Sequence, residues 1–189
     1  MNTAAFTGGF ETPSVQSAHA FRAVLEAMAR PGTIHTVTGA SPPAPLSVAA
    51  GVALLTLADA TTPVHLAGTA DNATVRNWVT FHIGAKLVAA EDADFAVGTW
   101  SALQPTARFR IGEPDYPDRS ATLIVEVDRL TNHGATLTGP GIETATWLSL
   151  PETAAFAANR AKFPLGYDCL FTFGHRLAGL PRSTRVEVI

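Results

Sequence analysis

Near its C-terminal end the chain reads Leu180-Pro181-Arg182-Ser183-Thr184-Arg185, two guanidinium groups and two hydroxyls around one proline. Arg182 offers a planar, permanently charged fork that matches a carboxylate or a phosphate. Ser183 and Thr184 add hydroxyl donors. Pro181 lacks an N–H and restricts Leu180, so it ends whatever strand precedes it. Two roles follow. Either the corner binds an anionic ligand or a partner chain, or Arg182 pairs with an internal carboxylate, with Asp168 and Asp59 as the candidates. Residues 160–189 hold five basic side chains against Asp168 and Glu187, in a chain of net charge −3. Such a segment can meet an anion or an acidic partner, and it can equally be a solvated edge.

Other residues with chemistry in them are scattered. "GPGIET" holds Gly139 and Gly141, two of the three glycines of a dinucleotide fingerprint, but Thr144 stands in the third place and a strand, not a helix, follows. Those glycines suit a strand-to-strand turn, or a close backbone approach to a ligand or a neighbouring chain. His82, one turn from Trp78 and just before Gly84, either caps helix carbonyls or points into a cleft. The six histidines form no HxH, HxxxH or HExxH spacing, so no metal is expected. Cys169 lies in the apolar run "YDCLFTF" and reads as a buried, inert thiol. Lys86 and Lys162, the only lysines, fall at helix ends or turns, which gives no apolar pocket for a Schiff base. GxSxG and the phosphate-loop motif are both missing.

The elements that must position these groups are legible from periodicity. "TPSVQSAHAFRAVLEAMARPG" predicts an amphipathic helix from Pro13 to a Pro31-Gly32 stop, with Val15, Ala18, Phe21 or Arg22, Leu25 and Met28 recurring at three and four. "LSVAAGVALLTLAD" is apolar all round, a buried helix ending near Asp59. Residues 73–83 read as a capped helix stopped at Gly84. "PETAAFAANRAKF" reads as a helix started by Pro151. Strands are predicted in "TIHTV", "TPVHLAG" and "DFAVGT", in "ATLIVEVDRL" as the central one, on both sides of Gly139-Pro140-Gly141, and in "LGYDCLFTF" and "RSTRVEVI". In the last, Val186 and Val188 share one face. Residues 100–120 read as a long connection. Helices distributed among strands predict a layered α/β domain with a mixed sheet, one domain over residues 1–189.

Composition bounds the function. Only 15% of residues are charged while 47% are hydrophobic, against roughly 25% charged in an average domain. The surplus calls for a large core or an apolar contact with another chain, and an isolated homodimer is expected. The overall charge excludes a nucleic-acid binder of the usual basic kind. No run reaches the ~20 apolar residues of a membrane span, and "MNTAAFTGGFETPS" lacks the form of a secretory signal. A cytoplasmic protein is expected, and the Asn72-Ala73-Thr74 sequon carries no meaning there.

In order along the chain, "AFRAVLEAMARPG", "LLTLAD", "FH" before a glycine turn, "LTGPGI", "FPLGYDCLFT" and "LPRSTRVEVI" resemble the PhnH subunit family of the bacterial carbon–phosphorus lyase system, from about Phe10 to Ile189. Ser183 stands where the family usually has Thr, which keeps the hydroxyl. The resemblance implies a three-layer α/β/α sandwich like the large domain of pyridoxal-phosphate-dependent transferases, without the cofactor. It implies assembly with the G, I and J subunits, and a homodimer when isolated. It also implies a part in joining a phosphonate to the ribose triphosphate of ATP, with loss of adenine. It assigns no catalytic residue to this chain.

Overall fold

The computed structural model describes residues 6–187. In chain order its elements are α1 (Pro13–Ala29), β1 (His35–Thr36), α2 (Val48–Leu57), β2 (Val64–Leu66), α3 (Ala73–His82), β3 (Phe95–Thr99), α4 (Trp100–Leu103), β4 (Ile111–Glu113) and β5 (Tyr116–Ser120). They continue with β6 (Thr122–Glu126), β7 (Ala135–Thr138), β8 (Thr146–Leu148), α5 (Ala154–Arg160), β9 (Asp168–Phe173), β10 (Arg176–Leu180) and β11 (Arg185–Glu187). The main sheet runs β1-β10-β9-β6-β3-β2. β2, β3, β6 and β9 are parallel, and β10 and β1 add antiparallel strands at one side. The sheet is therefore mixed, as expected.

β6 lies between two parallel neighbours, and Leu123, Ile124 and Val125 are fully buried. A strand covered on both faces needs apolar residues at consecutive positions, which is why "TLIV" reads as an unbroken run. Alternation then sorts the core. Val97, Ile124, Leu170 and Leu177 face the layer of α1, α2 and α3. Leu123, Val125 and Phe171 face the other way, onto Leu137 of β7, Leu148 of β8 and Phe156 of α5. That second layer is part sheet and part helix: β11, β7 and β8 form an antiparallel three-stranded sheet, with α4 and α5 beside it.

Helix starts follow local chemistry. The Ser47 side chain accepts the Ala50 N–H at the head of α2, and the Asn72 side chain accepts the N–H groups of Thr74 and Val75 at the head of α3, so the sequon is a helix cap. Gly84, at φ +75°, ends α3 where a side chain would be strained.

Four sequence expectations are corrected. Val15, Phe21 and Leu25 of α1 point to solvent at 54%, 51% and 55% exposure, and the inward face is Ala20, Val24 and Ala27. The cause is close approach to β10: a Cβ on Gly179 would lie 2.7 Å from the Ala27 carbonyl oxygen, so only small residues fit between helix and strand. β10 itself was not anticipated. Residues 100–120, expected as a long connection, hold α4 and the β4–β5 hairpin. α5 begins at Ala154, three residues after Pro151. In β11, Val186 is buried between exposed Arg185 and Glu187, as alternation predicts. Val188 and Ile189 lie outside the described residues. Among the described residues no helix is long and apolar enough to cross a membrane.

Candidate functional site

The corner after β10 is built around Arg182. Its backbone N–H donates to Asp168 Oδ1 at 2.7 Å, and its Nε and Nη2 donate to Asp168 Oδ1 and Oδ2 at 3.1 and 2.5 Å. Nη1 donates to the Pro117 carbonyl at 2.7 Å, and Nη2 also reaches Ser120 Oγ. Of the two carboxylates offered by the sequence, Asp168 is the partner. Both side chains are largely enclosed, at 13% and 21% exposure, where a two-pronged charged pair is stronger and more directional than on a surface. One guanidinium thereby joins the start of β9, the turn after β10 and the β4–β5 hairpin.

The neighbouring candidates complete the corner. Thr184 closes the turn by donating its N–H to the Pro181 carbonyl at 2.9 Å. Its side chain is buried, and Oγ1 has no hydrogen-bond partner among the described residues. The Ser183 carbonyl accepts Arg160 Nε at 3.0 Å. Gly139 and Gly141, at φ +131° and +80°, turn the chain between β7 and β8. A Cβ on Gly139 would be 3.3 Å from the Ser183 carbonyl oxygen, and one on Gly141 would be 1.9 Å from that of Ala29. The close backbone approach suggested by these glycines is thus made to the chain's own backbone.

Asp59 and His82 stand elsewhere. Asp59 Oδ1 accepts the Thr61 N–H, the Thr61 hydroxyl and the Thr62 hydroxyl at 2.7–2.9 Å. These bonds, the Thr61 hydroxyl first, hold its carboxyl below the usual range. His82 Nε2 lies 3.2 Å from the Thr7 carbonyl, which also accepts Trp78 Nε1 at 3.1 Å. Gly9 packs on the His82 ring, where a Cβ would be 2.4 Å from Nδ1. His82 therefore holds the entering segment against α3. Lys86 and Lys162 are exposed. Cys169 is buried, and burial pushes its thiol far up. Among the described residues no three His, Cys, Asp or Glu side chains are grouped to hold a metal.

A crevice not anticipated from sequence opens at the carboxyl ends of β3 and β6, the end of a parallel sheet where α/β proteins bind ligands. It encloses about 460 Å³ among Thr99, Trp100, Ser101, Glu126, Arg129 and Ser149. Glu126 Oε1 accepts the Ser47 N–H at 2.6 Å, and Oε2 accepts the Thr172 hydroxyl at 3.0 Å. Burial raises its pKa above the usual range, against the opposing pull of those donors. Trp100 packs on Phe156 with ring centres 4.7 Å apart and donates Nε1 to Glu152 at 2.9 Å. Buried Ser149 accepts the Thr131 N–H and donates to the Arg129 carbonyl, which fixes the loop after β6. The available signal was the charge ending an apolar run, Glu126 directly after "TLIV". A second depression of about 370 Å³ shares Arg129, Ser149 and Leu150 with the first and extends to His133.

These features define a class: a mixed α/β protein with α1, α2 and α3 on one face of its main sheet, a small sheet with α4 and α5 on the other, a crevice at its strand ends, and an arginine corner sealed by its own carboxylate. Within that class the chain belongs to the PhnH family of bacterial phosphonate metabolism proteins, whose family model matches residues 8–187. It is 37% identical to the "Alpha-D-ribose 1-methylphosphonate 5-triphosphate synthase subunit PhnH" of Rhizobium meliloti (strain 1021), over 96% of each chain. It is 28% identical to the "Putative C-P lyase subunit protein HtxG" of Stutzerimonas stutzeri, over 95% of this chain and 89% of that one.

Proposed function

We propose that this protein is a subunit of the carbon–phosphorus lyase machinery of organic phosphonate catabolism. In this reading it supports synthesis of alpha-D-ribose 1-phosphonate 5-triphosphate from ATP and a phosphonate. The observation that carries the reading is the end-to-end match to a relative named as a subunit of such a synthase. It includes cytoplasmic assembly with G, I and J subunits, a single folded unit of the α/β/α kind related to pyridoxal-phosphate transferases, and no cofactor of its own. The test is growth on methylphosphonate as sole phosphorus source. A strain lacking the chain fails to grow and recovers with it, and tagged protein retains the neighbouring subunits. Growth without the chain overturns the reading.

The isolated protein is a homodimer in this proposal, and the outward stripe of α1 supports an apolar contact. Two copies of α1 laid antiparallel about a two-fold axis midway between Ala18 and Arg22 bring Val15 opposite Leu25, so the stripe is complementary to itself. The alternative in which Arg182 holds a nucleotide or phosphonate requires donors that already serve Asp168, Pro117 and Ser120. We therefore read Arg182 with Asp168, Ser183, Thr184, Gly139 and Gly141 as the device that positions the hairpin for contacts within the complex.

A further inference from the structure

The crevice at the ends of β3 and β6 and the depression beside it differ in chemistry. The first is lined by the Glu126 and Asp128 carboxylates, by Trp100, and by the Thr99 and Ser101 hydroxyls, which lie 3.1 Å apart, Thr99 also accepting the Ala102 N–H. Glu126 accepts from the Ser47 N–H and the Thr172 hydroxyl, with the Ser47 hydroxyl also turned to it, and a carboxylate has about four acceptor positions, so an acceptor position remains for a ligand hydroxyl. Glu126 and Asp128 offset Arg129 in this lobe, so a phosphate is favoured in the second, which no carboxylate lines. The second lobe holds Arg129 and His133, and among the described residues neither side chain takes part in a hydrogen bond or an ion pair. Arg129, Ser149 and Leu150 line both lobes, so one ligand can span them. The lobe volumes lie in the range of small-molecule sites, about 300–1,000 Å³. The dividing loop is held by the Ser149 hydroxyl between Thr131 and Arg129, so the site is largely formed in advance.

We infer that this groove binds a sugar phosphate, its vicinal hydroxyls against Glu126, Thr99 and Ser101, and its phosphate on Arg129 and His133. The inference deepens the subunit reading, on which it rests for the choice of a ribose phosphate as probe.

The experiment is isothermal titration of the full-length protein with ribose 5-phosphate, ribose and inorganic phosphate. Ribose 5-phosphate binds at least tenfold more tightly than either half. Arg129→Ala weakens it by roughly tenfold or more, the effect of losing a charge-assisted hydrogen bond, and Ser101→Ala weakens it several-fold. Arg129 and Ser101 are exposed, so both variants fold, as circular dichroism verifies. Absence of ribose 5-phosphate binding at millimolar concentration, equal affinity for phosphate alone, or full affinity in Arg129→Ala overturns the inference. Capture of the neighbouring subunits is measured on the same samples. If capture persists while binding is absent, the groove inference falls alone, whereas loss of capture by the unaltered protein counts against the subunit reading.

Discussion

Arg182 closes on Asp168 through its backbone N–H, its Nε and its Nη2, and the same guanidinium reaches across to Pro117 and Ser120 on β5. Arg182→Ala leaves a largely enclosed carboxylate with only one backbone donor from this residue. A fully buried pair broken this way costs about 3–5 kcal/mol. The residual exposure of both side chains lowers the expected loss to about 2–4 kcal/mol. Arg182→Lys recovers little of it, because an ammonium cannot fork onto both oxygens and the hairpin. Urea unfolding followed by circular dichroism measures both. Unchanged stability with loss of partner capture would return Arg182 to a direct binding role.

Glu126 gives a pH dependence of definite sign. The folded protein holds its pKa above that of the unfolded chain, chiefly through burial. Its contribution is therefore fully present below the ordinary carboxylate range and is lost as pH rises through the raised folded value. Replacement Glu126→Gln removes this component. As pH rises above the ordinary carboxylate range, the stability of the unaltered protein relative to the variant falls. A flat or rising difference contradicts the burial account.

Cys169 sits on β9 at 1% exposure. Ellman's reagent labels it slowly in the native protein and completely in urea, because the thiolate is both inaccessible and disfavoured by burial. Fast stoichiometric labelling under native conditions would mean that β9 is not enclosed.

Gly141→Ala meets two obstacles at once, a φ of +80° and a Cβ placed on the Ala29 carbonyl oxygen. The backbone conformation alone costs about 1–2 kcal/mol, and the clash adds to it by forcing the turn off α1. Gly174→Ala is the control, since its φ is also positive but no atom lies within 4 Å of the added carbon. Thermal melting ranks Gly141→Ala as clearly the more damaging.

Leu25→Glu tests the apolar stripe of α1. The side chain is 55% exposed, so the fold is expected to change by no more than about 0.5 kcal/mol. Sedimentation gives a dimer for the unaltered protein and a monomer for the variant. A variant that remains dimeric moves the contact off α1.

Much of the fold was legible because local chemistry and tertiary role agree. Asn72 caps α3 with its own side chain, α2 is apolar all round because it is buried nearly all round, and β6 is an apolar run because it is covered twice. The direction of α1 was not legible. Alanine fills out an apolar stripe on any face, and the small face is selected by Gly179 on β10, far away in sequence. β10 escaped notice because a short run interrupted by glycine has weak strand character, and its glycine answers to α1 instead of to its own strand. The β4–β5 hairpin is polar and carries Pro117, and its anchor is a guanidinium 65 residues further on. At the candidate site, the carboxylate pairing of Arg182 was among the sequence alternatives. The groove was not, because Thr99, Glu126 and Ser149 converge only when β3 and β6 end side by side and β8 of the second sheet packs beside them.

The antiparallel side of the main sheet also bears on how the protein is made. β1 emerges early in synthesis, yet its ladder partner is β10, and the Val37 carbonyl meets the ring of His175, 138 residues later. β6 likewise waits for β9 across β7, β8 and α5. α1 meets α2 early, but the part of its inner face that β10 completes stays uncovered through most of translation, with Phe21 and Leu25 exposed on the opposite side. Pairings of such long range are slow to close, and apolar surface left open meanwhile invites aggregation. Yield in the cell should then respond to chaperone supply and to growth temperature more strongly than the stability of the finished fold would suggest.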